Sequence, residues 1–329
     1  MANLEKLPSG SYRYRKTMNG HKISLIFDHM PDDVELALAL AEKTKSVYKG
    51  ENKKFIVCAK EYIVSRESVL SPSTANNYES IVRNLGFIKD MKINDISQIE
   101  VQADVNNYAS THSPKSTANY SGFVTAVVKA FRPDVVLKIT LPQRIEKKAI
   151  LPTEEDIKTI LNETENTEYH VAFQLAIMGA RRSEICALDI SDLDENLLTI
   201  SKGKVKDKNK QWIIKPYPKN TSSNRTLYLP DDLANEIRDK GYVYKNSPDT
   251  LEYTLRQIQK RHNMEQFNFH SLRHYFASYA HYKGIPDVYI MQMGGWSTDN
   301  VMKRVYRQAM EEKTLEMQKS LVASMFKTP

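Results

Sequence analysis

Cysteine is scarce in this chain, with Cys58 and Cys186 as the only two among 329 residues. They lie far apart in dissimilar surroundings, which excludes a disulfide framework and provides no zinc-ligand spacing. Apolar runs are short: none approaches the roughly 18 residues of a membrane-spanning helix, and the N-terminus lacks the apolar core of a signal peptide. These absences predict a protein of a reducing cytoplasm without a membrane segment.

The residues that are present favour a globular protein with a polyanionic partner. Hydrophobic residues make up 41% of the chain, enough for sizeable cores, and the length suits two or three domains. The net charge is +7 and the isoelectric point is about 9.0, which favours nucleic acid as the partner. A soluble basic protein without such a partner is the alternative that charge alone leaves open.

The first segment, residues 1–52, is predicted to be a small β-sheet followed by a helix. Residues 11–16 alternate aromatic and basic side chains, Asn19-Gly20 is typical of a hairpin turn, and residues 21–27 form the returning strand. A helix is predicted from residue 34 to about residue 48. We interpret the segment as DNA-binding, with a solvated edge strand as the alternative. Its candidate DNA contacts are Tyr12, Arg13, Tyr14, Arg15, Lys16 and Lys22.

The second segment, residues 53–143, is predicted to be helical. Two helix starts have nearly the same sequence, Ser-Pro-Ser-Thr-Ala-Asn at residues 71–76 and Ser-Pro-Lys-Ser-Thr-Ala-Asn at residues 113–119. Each combines a serine cap with an early proline, and helix N-termini with hydroxyl groups bind phosphate well. Plain capping without DNA contact is the alternative. The candidate DNA contacts here are Ser73, Thr74, Lys115 and Ser116.

A charged linker at residues 142–148 precedes the third segment, residues 149–329. This segment is predicted to be mainly helical, with one helix starting after the cap Thr153 and strands over residues 197–201, 211–215 and 226–229. Lysines occupy every second position from Lys202 to Lys210, so they share one face of an extended chain. They form either a ribbon along DNA phosphates, with Lys204 as a contact, or a solvated hairpin tip. The fold class predicted for the whole chain is mainly α with small β elements, an α+β protein.

Four short motifs in the third segment contain residue types that act on phosphates. Gly-Ala-Arg-Arg-Ser-Glu spans residues 179–184, and the lysine-bearing Pro-Lys-Asn-Thr-Ser-Ser-Asn-Arg spans residues 218–225. His-Ser-Leu-Arg follows at residues 270–273, and then come Trp296 and Tyr306. Two arginines, a histidine, an indole N–H and a tyrosine can hold a phosphate, neutralise it and attack it. Each motif alone is commonplace, but together they make a specific pattern.

In order and spacing, the four motifs resemble those of tyrosine recombinases, the phage integrase family. The first two segments also resemble the arm-binding and core-binding domains of integrases from phages and conjugative transposons, so the likeness covers nearly the whole chain. It implies an arm-type DNA-binding domain over residues 1–52, a core-site DNA-binding domain over 53–143 and a catalytic domain over 149–329. The residues that the resemblance assigns to catalysis are Arg181, Lys219, His270, Arg273, Trp296 and Tyr306.

The chemistry of phosphodiester cleavage gives these residues distinct roles. Arg181 and Arg273 suit a clamp, because arginine forks match the non-bridging phosphate oxygens and stay charged at any working pH. Tyr306 suits the nucleophile, since a covalent phosphotyrosine preserves the bond energy for religation. Lys219 is the candidate general acid for the 5′-hydroxyl leaving group. His270 can hydrogen-bond the phosphate and take part in moving the proton of Tyr306.

Two assignments stay open in the sequence. Trp296 stands where the family more commonly has histidine, and its indole N–H can donate a hydrogen bond but cannot transfer a proton. Lys204 rivals Lys219 as the general acid. Arg182 adjoins Arg181, although the glycine-x-arginine register favours Arg181.

The resemblance implies an enzyme that integrates and excises the DNA of a phage or conjugative transposon. The implied reaction passes through a 3′-phosphotyrosine and a Holliday junction without metal or cofactor. The implied partners are double-stranded core and arm attachment sites in a bacterial cytoplasm, other protomers of a homotetramer, and, as candidates, an excisionase and a host DNA-bending protein. An apolar stripe at residues 314–326 either caps its own domain or docks on a neighbouring protomer. A type IB topoisomerase or resolvase, and a DNA-binding regulator without catalysis, are the alternatives.

Overall fold

The computed structural model of the protein describes residues 3–18, 21–47, 52–144, 150–215, 224–298, 318–319, 321–323 and 325–326. Backbone contacts divide the chain into two compact units, Met1–Ile145 and Glu146–Pro329. Helices predominate and the strands form small sheets, which confirms the predicted α+β class. Within the described ranges, no helix has the length and apolar character needed to cross a membrane.

The N-terminal part of the first unit is a three-stranded antiparallel sheet with one helix. The strands β1 Asn3–Lys6, β2 Tyr12–Met18 and β3 His21–Phe27 pair in sequence order, and the helix α1 Asp33–Val47 follows them. β1 is an addition to the predicted elements, while β2, β3 and α1 lie close to their predicted bounds. The predicted turn at Asn19-Gly20 lies outside the described residues.

The remainder of the first unit is a helical bundle with its own core. Its helices are α2 Phe55–Val64, α3 Pro72–Arg83, α4 Gln98–Ala109 and α5 Pro114–Phe131, with short 3₁₀ turns at Phe87–Asp90 and Ile93–Asp95. Aromatic and β-branched side chains fill the centre, among them Phe55, Ile88, Val105, Tyr120 and Phe123. The predicted boundary between the first two segments, at residue 52, stays a prediction.

One polar contact is built into this apolar core. Asp104 is fully buried on α4, and it accepts hydrogen bonds from the hydroxyl of Tyr120 and from the backbone N–H of Ile88. Gly86 leaves the space for the Asp104 carboxylate, because a side chain at position 86 would overlap it. Burial raises the pKa of Tyr120. The contact thus satisfies a buried carboxylate that would otherwise destabilise the domain.

The second unit surrounds small sheets with helices. Its helices are α6 Glu154–Thr164, α7 His170–Ile177, α8 Arg182–Ile185, α9 Asp231–Lys240, α10 Pro248–Arg261, α11 His270–Tyr282 and α12 Asp287–Gly294. Its strands are β4 Leu193–Asp194, β5 Leu197–Ile200, β6 Gly203–Lys206, β7 Trp212–Lys215 and β8 Arg225–Tyr228.

The strand order brings distant segments of this unit together. β4, β5 and β8 form one antiparallel sheet in which Ile200 pairs with Arg225, and β6 and β7 form a separate hairpin. The three predicted strands correspond to β5, β7 and β8. Leu198, Ile200 and Leu227 belong to the main core, to which α7 and α11 also contribute through Phe173 and Leu272. This core fixes the helix ends that carry the arginine and histidine motifs.

Candidate active site

The first arginine motif is held at the start of α8. Arg181 is the N-cap, and its backbone N–H donates to Glu184 Oε2 at 2.8 Å. Its guanidinium bonds Glu184 Oε1 at 2.5 Å through Nη1 and the carbonyl of Gly295 at 2.6 Å through Nη2. These contacts orient the guanidinium from both sides, while 28% of the Arg181 side chain remains exposed. The adjacent Arg182 instead pairs with Glu252 at 3.6 Å.

A further arginine, to which the sequence interpretation assigned no role, belongs to this cluster. Arg225, the first residue of β8, donates from Nη2 to Glu184 Oε2 at 2.8 Å and from Nε to the carbonyl of Met293 at 2.7 Å. Burial opposes ionisation of Glu184, but the hydrogen bond and charge of Arg225 and the charge of Arg181 outweigh it and lower the pKa of Glu184. The sequence held one signal for this role, because Arg225 is the last residue of the lysine-bearing motif at residues 218–225.

Arg273 is the most deeply buried residue of the cluster, with 1% of its surface exposed. Its Nη1 donates to the carbonyl of Gly179, and its guanidinium carbon lies 3.9 Å from the centre of the Trp296 ring. Its Nε and Nη2 have no hydrogen-bond partner among the described residues. Burial, then the positive charges of Arg181 and Arg225, lower the pKa of Arg273. Unpaired, desolvated N–H groups of this kind favour an incoming anion.

Trp296 is buried beneath Arg273, and Gly294 leaves the room that its ring occupies. Gly294 ends α12, and a Cβ at that position would overlap the Trp296 ring. Gly295 follows in the left-handed conformation, with φ of 65°, and its carbonyl accepts the bond from Arg181. The paired glycines thus have separate tasks: the first leaves room for the ring and the second turns the chain. Trp296 is the residue that this turn presents to Arg273.

His270 opens α11 at the solvent-exposed side of the cluster. Part of its surface is exposed, but the protein packed around the ring desolvates it, and this, followed by the charges of His274, Arg273 and Arg181, lowers its pKa to about 4. His274 lies one turn further along, with its ring centre 4.8 Å from that of His270, and its pKa is also lowered to about 4 by burial and Arg273. Both imidazoles are therefore neutral near pH 7.

The charges of this cluster suit an anion. Arg181, Arg225 and Arg273 contribute three positive charges and Glu184 one negative charge, which leaves an excess of two positive charges. No group of His, Cys, Asp and Glu suited to a metal ion occurs in the part of the chain that the structure describes. The donor set is that of a phosphate site, because arginine forks bind phosphate oxygens in pairs.

Of the two candidate lysines and the candidate nucleophile, Lys204 alone lies among the described residues. Lys219 and Tyr306 lie outside the described residues. Lys204 is partly buried on β6 and donates from Nζ to the carbonyl of Asn246 at 3.2 Å. Of the alternating lysines, Lys202 and Lys206 also bond the protein itself, through Asp192 and Asp249 at 2.8 Å. These contacts tie the hairpin to its own unit. The roles of Lys219 and Lys204 stay predictions.

The candidate DNA contacts of the N-terminal sheet divide between its two faces. Tyr14 is 4% exposed and packs in the core with Ile23 and Leu25, which corrects its prediction as a DNA contact. The reason is the period of two along β2: an aromatic side chain between two arginines points to the core when the arginines point outward. Arg13 pairs with Glu5 at 2.9 Å, and Arg15 is exposed. Tyr12 is partly buried, and Lys16 and Lys22 are exposed.

The two repeated helix starts are capped as their sequences predict. Ser71 Oγ accepts from the backbone N–H of Thr74 at 3.2 Å, and Ser113 Oγ accepts from that of Ser116 at 3.2 Å. The hydroxyls of Thr74 and Ser116 also bond these caps, at 2.8 and 3.0 Å. Ser73 Oγ lies 3.1 Å from the Ser71 hydroxyl, and Lys115 is exposed. Capping therefore accounts for these residues, and their contact with DNA stays a prediction.

The sequence patterns of known families identify both units. The pattern of the phage integrase family matches residues 152–313, and the pattern of the phage integrase N-terminal SAM-like domain matches residues 57–121. The chain belongs to the phage integrase family. It is a tyrosine recombinase, an enzyme that cleaves and rejoins DNA, as the order of the four motifs implied.

Individual members of this family are similar to the chain at low identity. A tyrosine recombinase XerC-like protein of Caldanaerobacter subterraneus subsp. tengcongensis is 24% identical over 290 residues, covering 71% of this chain and 74% of that protein. The integrase of Salmonella phage P22 is 24% identical over 216 residues, covering 57% of this chain and 52% of that protein.

Solved integrase structures share the fold. The Tn1549 transposon integrase in complex with transposon right end DNA is 14% identical, with a TM-score of 0.65, covering 81% of this chain and 100% of that one. A lambda integrase tetramer bound to a Holliday junction is 16% identical, with a TM-score of 0.56, covering 92% of this chain and 94% of that one.

Proposed function

We propose that the chain is the site-specific integrase of a mobile element and that Tyr306 is its nucleophile. The phenolic oxygen of Tyr306 attacks the phosphorus of one DNA strand, the bond from phosphorus to the 5′ oxygen breaks, and the 3′ end becomes a phosphotyrosine. His270 accepts the phenolic proton and Lys219 supplies a proton to the 5′ oxygen. Attack by the 5′-hydroxyl of a partner strand reverses these steps and produces a Holliday junction.

The cluster around Gly179 is the observation that carries this proposal. Arg181 is oriented by Glu184 and Gly295, whereas Arg273 is buried with two unpaired nitrogen atoms. Donors that are fixed and desolvated before the substrate arrives stabilise the charge that grows on phosphate oxygens in the transition state. An arrangement made only for DNA affinity gains little from burying a guanidinium without its partners.

The protonation state of His270 supports its role in proton transfer. With its pKa lowered to about 4, the imidazole has an unprotonated nitrogen at neutral pH, and it takes the phenolic proton only as the phenolic oxygen bonds to phosphorus and the phenol becomes acidic. Arg273 and Arg181, whose charges lower this pKa, also favour the phenolate over the phenol near the phosphate. The same cations thus assist both the nucleophile and the negative charge that develops on the phosphate oxygens.

The two parts of the first unit suit two classes of DNA site. We assign the helical bundle to the core site and the N-terminal sheet to a distal arm site in the cytoplasm of a bacterial host. Simultaneous binding at both sites gives avidity that neither domain has alone. The lambda integrase tetramer on a Holliday junction supports a tetrameric assembly. An excisionase and a DNA-bending protein are the further partners of this proposal.

A covalent-adduct assay tests the mechanism. Wild-type protein is incubated with a nicked duplex that carries the end of the element encoding it, and SDS-resistant protein–DNA adducts are measured. We expect an adduct with wild type and none with Tyr306→Phe, which lacks the nucleophilic oxygen but keeps the ring. No wild-type adduct, or an equal yield with Tyr306→Phe, contradicts the mechanism. Relaxation of any supercoiled plasmid without an element end identifies a topoisomerase instead.

A further inference from the structure

We infer that Arg225 is a positioning residue for DNA cleavage, which holds the clamp residue Arg181 and the end of α12 in one fixed arrangement. The inference rests on the proposed function, because the arrangement matters only if this site cleaves DNA. Arg225 is outside the set of residues assigned to catalysis, and its side chain is only 5% exposed. Unlike Arg273, it has its Nε and Nη2 bound to protein acceptors, and it acts through these contacts.

Arg225 joins three segments that are far apart in sequence. It begins β8, its Nε donates to the carbonyl of Met293 near the end of α12, and its Nη2 donates to Glu184 on α8. Nη2 also lies 3.3 Å from the carbonyl of Gly179, the same carbonyl that accepts from Arg273. One guanidinium therefore connects the segments that carry Arg181 and Trp296.

The Glu184 carboxylate couples the position of Arg225 to that of Arg181, because it binds both guanidinium groups. Glu184 has 5% of its side chain exposed, and it bonds Arg225 through Oε2 and the Arg181 guanidinium through Oε1. A buried carboxylate stays ionised only when cations and hydrogen-bond donors compensate for its lost hydration. Arg225 is the largest such contribution, and so it keeps Glu184 able to hold Arg181.

Arg225 and Met293 are each close in sequence to a candidate catalytic residue, so their positions matter for the reaction. Arg225 lies six residues after Lys219, and Met293 lies three residues before Trp296. The Arg225 bond to Met293 thus ties the strand that follows the candidate general acid to the turn that presents Trp296 to Arg273. A displacement of about 1 Å in such a constellation costs about 100-fold in rate.

The geometry requires arginine at this position. The acceptors lie on different segments, and Nε and Nη2 of one planar fork reach Met293 and Glu184 together. A lysine keeps the charge but has a single nitrogen at the end of a flexible stem, so it cannot hold both segments at once. Arg225→Lys therefore separates positioning from charge, and Arg225→Met removes both.

Single-turnover cleavage of the nicked duplex tests the inference, with DNA affinity and melting temperature measured on the same proteins. We expect Arg225→Lys to form the covalent adduct about 100-fold more slowly than wild type, with DNA affinity unchanged within about twofold. The control matched to Arg225→Met is Arg261→Met. Arg261 is 62% exposed and pairs with Glu163, so this variant loses an arginine ion pair between helices and should cleave like wild type.

A pH profile distinguishes positioning from a loss of stability. The charged and titratable groups facing Glu184 are Arg181, Arg225, Arg273 and His270. Without Arg225, burial of Glu184 is compensated less, so its pKa rises relative to wild type and the carboxylate that holds Arg181 is protonated more readily as pH falls. The cleavage rate of Arg225→Met should therefore rise with pH more steeply than that of wild type. Combining it with Glu184→Gln removes the titrating group and should abolish the additional slope.

The outcomes separate this inference from the proposed function. If wild type forms no adduct, the proposed function has failed; if wild type cleaves and Arg225→Lys cleaves within about threefold of it, only the positioning role is overturned. A loss of DNA affinity or folding in Arg225→Lys that equals its loss of cleavage also overturns it. If Arg225→Met does not fold, the cleavage rate, DNA affinity and melting temperature of Arg225→Lys decide.

Discussion

The arginines of the N-terminal sheet and those of the candidate active site differ in their relation to water. Arg15 is exposed on an open sheet face, and its neighbour Arg13 is held by one surface carboxylate, that of Glu5. Arg273 is 1% exposed, and Arg225 shares a buried carboxylate with Arg181. The same residue type is thus solvated in one domain and desolvated and fixed in the other.

The arginines of the sheet and those of the candidate active site are therefore expected to contribute to different steps, DNA binding and DNA cleavage. A solvated cation contributes to DNA affinity through counterion release and so acts in a salt-dependent way. A desolvated and oriented cation contributes little to long-range attraction but stabilises charge that develops in the transition state. The comparison predicts that variants of the first group change the salt dependence of binding, and variants of the second group change the cleavage rate.

The largest effect is expected from Arg273→Met, which replaces the buried guanidinium by an apolar side chain of similar length. Loss of one preorganised donor of this kind costs about 10²–10³ in rate. Folding should not suffer, because two guanidinium nitrogens are buried without partners, and the free energy of unfolding should stay within about 1 kcal/mol of wild type or rise. Single-turnover cleavage and chemical denaturation measure the two quantities.

An intermediate effect is expected from Gly294→Ala, which alters the site without changing its charge. The added methyl group overlaps the Trp296 ring, and overpacking of this kind costs about 1–3 kcal/mol. Cleavage should fall less than in Arg273→Met, because the ring beneath Arg273 is displaced while the guanidinium remains. Thermal unfolding and adduct formation provide the measurements.

The matched control for this variant is Gly122→Ala in α5, where an added methyl group meets open space. It should stabilise the protein by about 0.5–1 kcal/mol through helix propensity. In a Trp296→His background, Gly294→Ala should destabilise less than in wild type, since the smaller ring leaves room for the methyl group. Equal stability of Gly294→Ala and wild type would contradict the packing described for Trp296.

The smallest effect is expected from Arg15→Gln on the N-terminal sheet. Loss of one phosphate contact should weaken binding of a duplex that spans the element end and lower the slope of log affinity against log salt by about 1. Tyr14→Phe is the control: its ring stays in the core, so affinity and slope should not change. A salt slope that Arg15→Gln leaves unaltered would argue against DNA binding by this face.

Local patterns predicted much of the secondary structure. The serine and threonine caps at positions 71, 113 and 153 predicted the starts of α3, α5 and α6, because capping depends on neighbours within one turn. β1, β4 and β6 were missed, since short strands are stabilised by partners that lie elsewhere in the chain. The buried side of β2 was also missed at Tyr14, because alternation defines two faces without saying which is covered.

The sequence by itself determined the family motifs and the identity of the clamp candidates, because Arg181, His270 and Arg273 stand in short ordered patterns with a specific chemistry. Only the tertiary structure decided how they are held. Arg225 meets Glu184 across 41 residues and Met293 across 68, and Arg273 meets Gly179 across 94. Such contacts depend on how helices and strands pack, so no local pattern contains them. The burial that makes these arginines suited to transition-state charge is likewise a property of the folded core.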